Sequence, residues 1–194
     1  VFGLNSSGPA PAGMSLDYLH AAGHDEIPER GGLTVTVPGT VGGWAALQDR
    51  FGSRSLDRVL SAAVAYARDG APIASNFAEA CVRLRDVVDG HPGTRGVFGG
   101  PKRTGDIMRQ PALAKTLERI GIEGARAFYE GEVAADMVAT LQDAGSAITL
   151  DDFAAFEPEW VEPISTSYRG YDIVEMPPNT QGPTVLLMAN IVEG

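Results

Sequence analysis

The stretch that decides the fold is Leu33-Thr34-Val35-Thr36-Val37-Pro38-Gly39-Thr40-Val41-Gly42-Gly43-Trp44. Its first five residues alternate apolar and hydroxyl side chains, which predicts a short strand over 33–37. The proline and glycines that follow predict a turn with positive φ or a close backbone approach. Beyond the turn, Trp44, Leu47 and Phe51 share one face of a predicted helix. The stretch therefore predicts a strand, a tight turn and a helix in direct succession.

Four further segments have apolar residues at the period of an α-helix, with capping or terminating residues at their ends. They span residues 56–69, 75–90, 111–121 and 132–144. Their predicted inward faces are Leu56, Val59, Leu60, Ala63, Val64 and Ala67; Phe77, Cys81, Leu84 and Val88; Leu113, Leu117 and Ile120; and Ala134, Met137, Val138 and Leu141. We therefore expect amphipathic helices over much of the chain.

The first 32 residues differ in composition from these helical segments. Residues 1–32 are rich in Gly, Pro and Ser, which predicts mostly loop with at most one helical turn at 15–22. Much later, Thr149 and Asp152 have the spacing of a capping box at the start of a short helical turn.

The last part of the chain carries strand patterns. Apolar and polar residues alternate over 164–168, Arg169-Gly170 supplies a turn, and 171–176 continues extended, which predicts a hairpin. A loop over 177–183 and a last helix over 184–193 follow. The order of elements predicts a helix-rich α+β chain without internal repeats.

Composition bounds the class of protein. The 194 residues have the length of one domain. Fifteen Lys and Arg against 25 Asp and Glu give a net charge of −10, which opposes binding to nucleic acid or to anionic membranes. The longest apolar run, Ala62–Ala67, is far shorter than the ~20 residues that span a bilayer. The lone Cys81 excludes an internal disulfide and a thiolate metal site.

The beginning of the chain bears on its completeness. It opens on Val1, with no initiator methionine, no basic region and no leader-like apolar run. We therefore expect a piece of a longer protein, and its compartment stays open.

Two histidines, His20 and His24, have a spacing at which one helical face would present both to a metal ion. Gly23 stands between them, and no third ligand accompanies them. We therefore interpret them as part of an ordinary polar turn and predict no metal site.

The Gly-rich stretch 93–105 carries Lys102 and Arg103, which raises the hypothesis of a phosphate cradle built from backbone amides and a cation. The stretch lacks the order of glycines and lysine that makes a P-loop specific. A mobile surface loop over 91–105 is the favoured interpretation.

Other reactive side chains have structural interpretations. Cys81 falls on an apolar helix stripe, where a cysteine acts as a small hydrophobe. The carboxylates of Asp151-Asp152 and Glu157-Pro158-Glu159 fit caps and solvated turns better than an acid–base pair. Residue chemistry alone therefore indicates an acidic helical domain with a hairpin and assigns no catalytic residue.

A set of short motifs resembles the large-subunit region of gamma-glutamyltranspeptidases. The motifs are Val37–Trp44, Arg50–Gly52, Ala67–Gly70, Phe128–Ala134, Ala144-Gly145, Ile148–Phe153, Glu162–Ile164, Tyr168–Tyr171 and Met176–Pro178. They occur in the order and with the spacing of that family across nearly the whole chain.

This resemblance implies a helix-rich portion of the αββα fold of N-terminal nucleophile hydrolases. It further implies a precursor that cuts itself into a large and a small subunit, in which the new N-terminal threonine of the small subunit attacks a γ-glutamyl amide such as that of glutathione. An acyl-enzyme forms, and water or an acceptor amine resolves it. The mechanism implies no metal and no organic cofactor.

The threonine of the family lies beyond the region that this chain resembles. We therefore expect residues 1–194 to be one incomplete large-subunit segment, inactive by itself, whose partners are the small subunit of the same precursor and a small-molecule amide. Many family members are periplasmic or secreted, which leaves the compartment of this chain open.

One departure from the family concerns the acyl group. The family holds the α-carboxylate of the γ-glutamyl group with an arginine just before an Ala-Pro pair. The matching stretch here, Leu4–Pro11, contains no arginine, and Ser7 or Pro9 occupies the place depending on register. The departure bears on γ-glutamyl specificity and not on the fold, and it favours a related acylase or amidohydrolase as the alternative function. A non-catalytic fragment that acts through binding is the third reading.

Overall fold

A computed structural model describes residues 1–194. The chain divides into two compact units, the first formed by residues 1–53 and 125–194 and the second by residues 54–124. In chain order the elements are β1 (Gly3–Asn5), α1 (Leu16–Ala21), α2 (Thr40–Phe51), α3 (Leu56–Asp69), β2 (Ala71–Pro72), α4 (Ser75–Arg83), α5 (Arg85–Gly90), α6 (Pro92–Phe98), β3 (Ile107–Met108), α7 (Pro111–Glu123), α8 (Arg126–Tyr129), α9 (Glu132–Asp143), α10 (Leu150–Ala154), β4 (Glu159–Val161), β5 (Ile164–Tyr168), β6 (Tyr171–Glu175) and α11 (Gly182–Glu193). The helices are all too short to span a bilayer.

The first unit combines two small antiparallel sheets with six helices. Strand β1 pairs with β4, so that Leu4 lies opposite Trp160. Strands β5 and β6 form the predicted hairpin, whose turn residues Arg169 and Gly170 both have positive φ, as a two-residue turn of type I′ requires. Helix α11 packs on this hairpin.

The core of the first unit lies around α9 and α10. Ile148, Phe153 and Ala134 are completely buried, and Val37 is 1% exposed. Burial of a side chain the size of Phe153 stabilises a fold by about 1.5–3 kcal/mol. The other buried apolar residues of this unit are Leu19, Leu33, Val41, Ala127, Tyr129, Val138 and Leu186.

The second unit is built on the packing of α3 against α7. The two helices approach closely at Gly121, where an added Cβ would lie 2.9 Å from the Cα of Asp57. Strands β2 and β3 pair over two residues. The buried apolar residues are Leu60, Val64, Ile73, Ala78, Ala114, Leu117 and Ile120.

Several predicted elements are confirmed. The helix over 56–69 is α3, the helix predicted over 132–144 is α9 with one residue fewer, and α1 is the single helical turn expected in the N-terminal region. The capping box of Thr149 and Asp152 is present at the start of α10. The last helix begins at Gly182, two residues before its predicted start.

The predicted strand over 33–37 is wrong. Residues Gly32–Thr34 form a 3₁₀ turn instead, in which the Thr34 hydroxyl donates to the carbonyl of Gly31. Leu33 and Val37 are buried as the alternation suggested, but no neighbouring strand pairs with the segment. Leu33 and Val37 are thus buried by packing, without strand pairing, and the local turn satisfies part of the backbone hydrogen bonding of the segment.

Two other boundaries in the second unit also need correction. The helix predicted over 75–90 breaks at Leu84 into α4 and α5. The helix predicted to close at Gly121 runs to Glu123, because Gly124 rather than Gly121 takes the positive φ of a helix end.

Part of the predicted mobile loop over 91–105 is helical. Helix α6 starts with Pro92 at its first position, and the His91 ring accepts a hydrogen bond from the Thr94 amide. Proline at this position suits a helix, because the missing N–H would have no partner there. The rings of Phe98 and Phe77 pack at 6.2 Å between centroids.

The predicted inward faces are broader than the buried ones. In α3 only Leu60 and Val64 are buried, and Val59 is 53% exposed. In α2 the buried residues are Val41 and two glycines, whereas the apolar face of Trp44, Leu47 and Phe51 stays partly exposed. The remaining differences are that Leu84 and Leu113 are exposed, whereas Phe77, Cys81, Val88, Met137 and Leu141 are half-buried. Periodicity identifies an apolar stripe, but the neighbours decide how much of it is covered.

Candidate functional site

The candidate site is the N-terminal junction, where the segment 5–12 packs against residues 37–43 within the first unit. The Val37 amide donates to the carbonyl of Pro9 at 3.0 Å, and the Ser6 hydroxyl donates to the carbonyl of Gly39 at 2.6 Å. A Cβ at Gly8 would lie 1.7 Å from the Val37 oxygen, and one at Gly39 would lie 1.8 Å from the Ser6 oxygen. Only glycine fits at these two positions, so the predicted close backbone approach is confirmed.

Helix α2 begins at this junction without a cap of its own. Gly39 stands at the N-cap and has no side chain to accept the first helical amides. The hydroxyl of Tyr129, from α8, supplies the missing oxygen: it accepts from the Gly42 amide at 3.0 Å and donates to the carbonyl of Pro38 at 2.8 Å. Because the close contact at Gly39 leaves no room for a side chain, the helix is capped by Tyr129, which lies 90 positions later in the chain.

Tyr129 is 7% exposed and lies against the rings of Phe128, Phe153 and Phe156. Burial raises the pKa of Tyr129 above its usual value, although the hydrogen bond from Gly42 acts in the opposite direction. The phenol is therefore protonated at neutral pH and able to donate to the Pro38 carbonyl. This side chain has a structural role at the junction.

The far end of the segment is tied down by Asp152. One carboxylate oxygen accepts from the Ala12 amide at 2.9 Å, and the other accepts from the amide and hydroxyl of Thr149. Burial acts to raise the pKa of Asp152, but the hydrogen bonds from Ala12 and Thr149 outweigh it and hold the pKa below its usual range. The predicted cap therefore also fixes the N-terminal segment.

Between these two anchors, the positions that the resemblance places opposite the family's arginine carry neutral side chains. Ser7 and Pro9 are both exposed. The Ser7 amide donates to the side-chain oxygen of Asn5 at 3.0 Å, which forms a local turn. The junction offers backbone and hydroxyl groups at this place and no guanidinium.

The four arginines of the first unit are occupied elsewhere. The Arg50 guanidinium stacks over the rings of Phe2 and Trp160, 4.2 Å from each ring centroid. Arg30, Arg126 and Arg169 lie against Glu29, Glu130 and Tyr168, respectively. No hydrogen bond or ion pair joins any of the four to the exposed stretch of Ser7 and Pro9, so none replaces the arginine of the family there.

The other residues considered from the sequence lie apart from the junction. His20 is in the last turn of α1, and the helix ends at Ala21, so His20 and His24 do not share a helical face. No group of three or more His, Cys, Asp or Glu is placed to hold a metal ion. Cys81 is half-buried in α4 of the second unit.

Sequence reasoning missed the roles of Tyr129 and Arg50. Both residues belong to motifs of the family resemblance, but a buried tyrosine and a surface arginine carry no local pattern that names a partner. One feature of the sequence could have indicated a capping residue. Gly39 stands at a helix start and has no side chain, so a side chain from elsewhere must cap the helix.

Comparison with solved structures assigns the fold to the N-terminal nucleophile hydrolases, as the resemblance implied. The chain belongs to the gamma-glutamyltranspeptidase family, whose family model matches residues 1–194.

Two solved structures illustrate the likeness. The gamma-glutamyltranspeptidase of Helicobacter pylori is 30% identical with a TM-score of 0.91 over 99% of this chain and 57% of its own. The cephalosporin acylase of Bacillus halodurans is 36% identical with a TM-score of 0.92 over the whole of this chain and 38% of its own.

Curated relatives have similar levels of identity. The glutathione hydrolase-like YwrD proenzyme of Bacillus subtilis (strain 168) is 37% identical over 97% of this chain and 36% of its own length. The glutathione hydrolase proenzyme of Escherichia coli (strain K12) is 34% identical over 83% of this chain and 29% of its own. The chain thus spans about a third of the length of these relatives.

Proposed function

We propose that residues 1–194 are the large-subunit segment of an enzyme that cleaves or transfers a γ-glutamyl group, such as that of glutathione. The observation that carries this proposal is the match of the whole chain to the gamma-glutamyltranspeptidase family. The acyl group passes through an ester on an N-terminal threonine outside this chain, whose own α-amino group acts as the base. Water then gives hydrolysis, and an amine acceptor gives transfer.

The partner of this segment in the proposal is the small subunit of the same precursor. The Bacillus subtilis and Escherichia coli relatives are named proenzymes, which supports maturation by cleavage. The N-terminal threonine that the proposal requires lies outside this segment, so we expect no turnover from residues 1–194 alone. Its contribution to the enzyme is the junction that positions the segment 5–12.

The first test is the intact mass of the full-length protein after purification and maturation. Two chains, the smaller one beginning with threonine, are expected. A single uncut chain that stays uncut on incubation would contradict the proposal and favour a non-catalytic relative. A matched control replaces the threonine at the cleavage site with alanine, which must abolish cleavage if the threonine is the nucleophile.

A second candidate function is an acylase with another acyl group. The exposed, neutral Ser7 and Pro9 favour it, because a bidentate ion pair with the α-carboxylate of a γ-glutamyl group needs a guanidinium. The structural likeness to the Bacillus halodurans acylase supports it as well.

The two candidates are separated by a pair of anilides, γ-glutamyl anilide and the butyryl anilide, which lacks the α-amino and α-carboxylate groups. If only the γ-glutamyl anilide turns over, the acylase candidate fails; if the butyryl anilide is preferred, the γ-glutamyl candidate fails.

Introducing an arginine where the family has one gives a second test of the preferred acyl group. In the full-length protein, Ser7→Arg or Pro9→Arg is expected to lower the KM for γ-glutamyl anilide about tenfold or more, because a charge-assisted hydrogen bond contributes about 1.5–3 kcal/mol. The KM for butyryl anilide should not change. Ala12→Arg adds the same charge to another exposed position of the segment and serves as the control. Equal effects of all three variants would show a general charge effect instead.

A further inference from the structure

The charges of this acidic chain are distributed very unevenly. The second unit, residues 54–124, holds 11 of the 15 basic residues and only 8 of the 25 acidic ones, for a net charge of +3. The first unit holds the other 4 basic and 17 acidic residues, for a net charge of −13. The second unit therefore carries a net positive charge, which favours anionic ligands, although the whole chain is acidic.

Part of this positive charge surrounds one cavity of the second unit. The cavity has a volume of about 410 Å³ and lies between α4 and the turn that follows α6. Its lining residues are Ser75, Ala78, Glu79, Val82, Arg83, Lys102, Arg103 and Thr104. Three cationic residues and one acidic residue thus line the cavity, together with Ser75 and Thr104, whose hydroxyls are neutral hydrogen-bonding groups.

None of the three cations forms a salt bridge with a carboxylate, although the Asp106 carboxylate accepts a hydrogen bond from the Arg103 amide. Arg83 and Arg103 form no ion pair, and neither does Glu79, which lies one helical turn from Arg83. The half-buried Lys102 ammonium donates to the carbonyl of Gly99 at 2.6 Å, which fixes its position without cancelling its charge. The lining therefore carries three positive charges against the single negative charge of Glu79, and a bound anion would offset this excess.

The backbone amides of the turn are already used. The Arg103 amide donates to the Asp106 carboxylate, the Gly105 amide to the carbonyl of Ile73, and the Asp106 amide to the carbonyl of Arg103. The amide cradle that the sequence suggested over 93–105 is therefore not formed by these groups. Recognition of an anion at this cavity falls to the side chains.

We propose that this cavity binds a small multivalent oxyanion, a phosphate or a di- or tricarboxylate, between Arg83, Lys102 and Arg103. Two guanidinium groups and one ammonium group can donate hydrogen bonds to the several oxygens of such a ligand. Each guanidinium can donate to two oxygens at once. Ala78, which is buried, and Val82, which is 61% exposed, form the apolar part of the lining. A monovalent anion leaves part of the positive charge unmatched and binds more weakly.

Isothermal titration calorimetry on the full-length protein tests this site, with inorganic pyrophosphate, citrate and acetate as probes. The ionic strength is held at about 0.15 M, where charges more than about 8 Å apart are largely screened. Saturable binding of one equivalent of pyrophosphate or citrate, at least about tenfold tighter than acetate, is expected. Binding of pyrophosphate alone indicates a phosphate ligand, and binding of citrate alone indicates a carboxylate ligand.

Charge-matched double variants decide whether the cavity is responsible. Arg83→Gln with Arg103→Gln is expected to weaken binding about tenfold, since each exposed ion pair contributes up to about 1 kcal/mol. Arg85→Gln with Arg95→Gln removes the same charge from exposed arginines that do not line the cavity, and should leave binding unchanged. Thermal unfolding confirms that both double variants fold.

Two results would overturn the proposal. One is the absence of saturable binding of either multivalent probe to the wild-type protein. The other is an equal loss of binding in both double variants, which would show attraction to the net charge of the unit alone. Because the readout is binding, failure here leaves the proposed amide chemistry untouched, and failure of maturation leaves the cavity untouched.

Discussion

Tyr129→Phe is the change that probes the junction most directly. It removes the hydroxyl that joins the Gly42 amide to the Pro38 carbonyl and keeps the ring among its aromatic neighbours. Each buried polar group left without a partner costs about 1–3 kcal/mol. The Gly42 amide is buried and the Pro38 carbonyl partly so, which gives an expected loss of about 2–4 kcal/mol in the free energy of unfolding. That loss is a large fraction of the 5–15 kcal/mol typical of a whole domain, as a rough guide.

Urea unfolding, followed by circular dichroism, measures this loss from the shift of the midpoint at constant slope. Tyr171→Phe is the matched control, because Tyr171 is 77% exposed and should change the stability by less than about 0.5 kcal/mol. If the Tyr129 variant also stays within about 0.5 kcal/mol of the wild type, the capping argument is refuted.

The pH dependence of the same variant gives a second, independent readout. The pKa of Tyr129 is raised on folding, so its contribution is complete below the pKa of the unfolded tyrosine, about 10, and is lost as the pH rises further. The wild-type protein should therefore lose more stability above about pH 10 than the Phe variant. If the free energy of unfolding falls equally in both proteins above about pH 10, this prediction is contradicted.

Three further changes test other parts of the fold. Asp152→Asn should cost about 1–2 kcal/mol through its cap and its bond to the N-terminal segment, whereas Asp151→Asn, in the same helical turn, should cost less. Because the pKa of Asp152 is lowered on folding, its contribution is present above about pH 4 and lost as the pH falls, so acid unfolding of the Asn variant should depend less on pH; equal acid limbs would refute this. Gly39→Ala should cost more than about 3 kcal/mol in thermal unfolding because its Cβ would overlap a carbonyl, whereas Gly96→Ala, in open space within α6, should stabilise by about 0.5–1 kcal/mol; similar values for the two would exclude the close contact. The 194-residue chain should self-associate through the apolar face of α11, and Ile191→Lys, at a residue 79% exposed, should raise the monomer fraction in sedimentation; a wild-type chain that is monomeric at all concentrations would count against it.

The glycines around Gly39 and those of residues 91–105 show what a glycine-rich sequence predicts about backbone conformation and what it leaves open. Around Gly39 the glycines indicated a close approach, and the structure has one. Around 91–105 the glycines indicated a mobile loop, but residues Pro92–Phe98 form a helix. Glycine permits both outcomes because it lacks a Cβ, so its presence marks conformational freedom and not the conformation adopted.

The candidate site was less predictable than the helices. The absence of an arginine near Ser7 and Pro9 could be seen in the sequence, and the structure adds that both positions are exposed and that the arginines of the same unit lie elsewhere. The three cations around the cavity of the second unit come from α4 and from a turn about 20 residues later. No local pattern connects them, because packing and not periodicity brings them to one place.

The sequence by itself determined the elements whose hydrogen bonds are local. Helix α3, helix α9, the Arg169-Gly170 hairpin and the Thr149 cap all depend on residues within a few positions of one another, so propensity and capping rules were sufficient. The tertiary structure alone decided which carbonyl lies against Gly39, and which hydroxyl caps α2. Those contacts join residues 33 and 87 positions apart, and glycine at the contact records only that something must come close, not what it is.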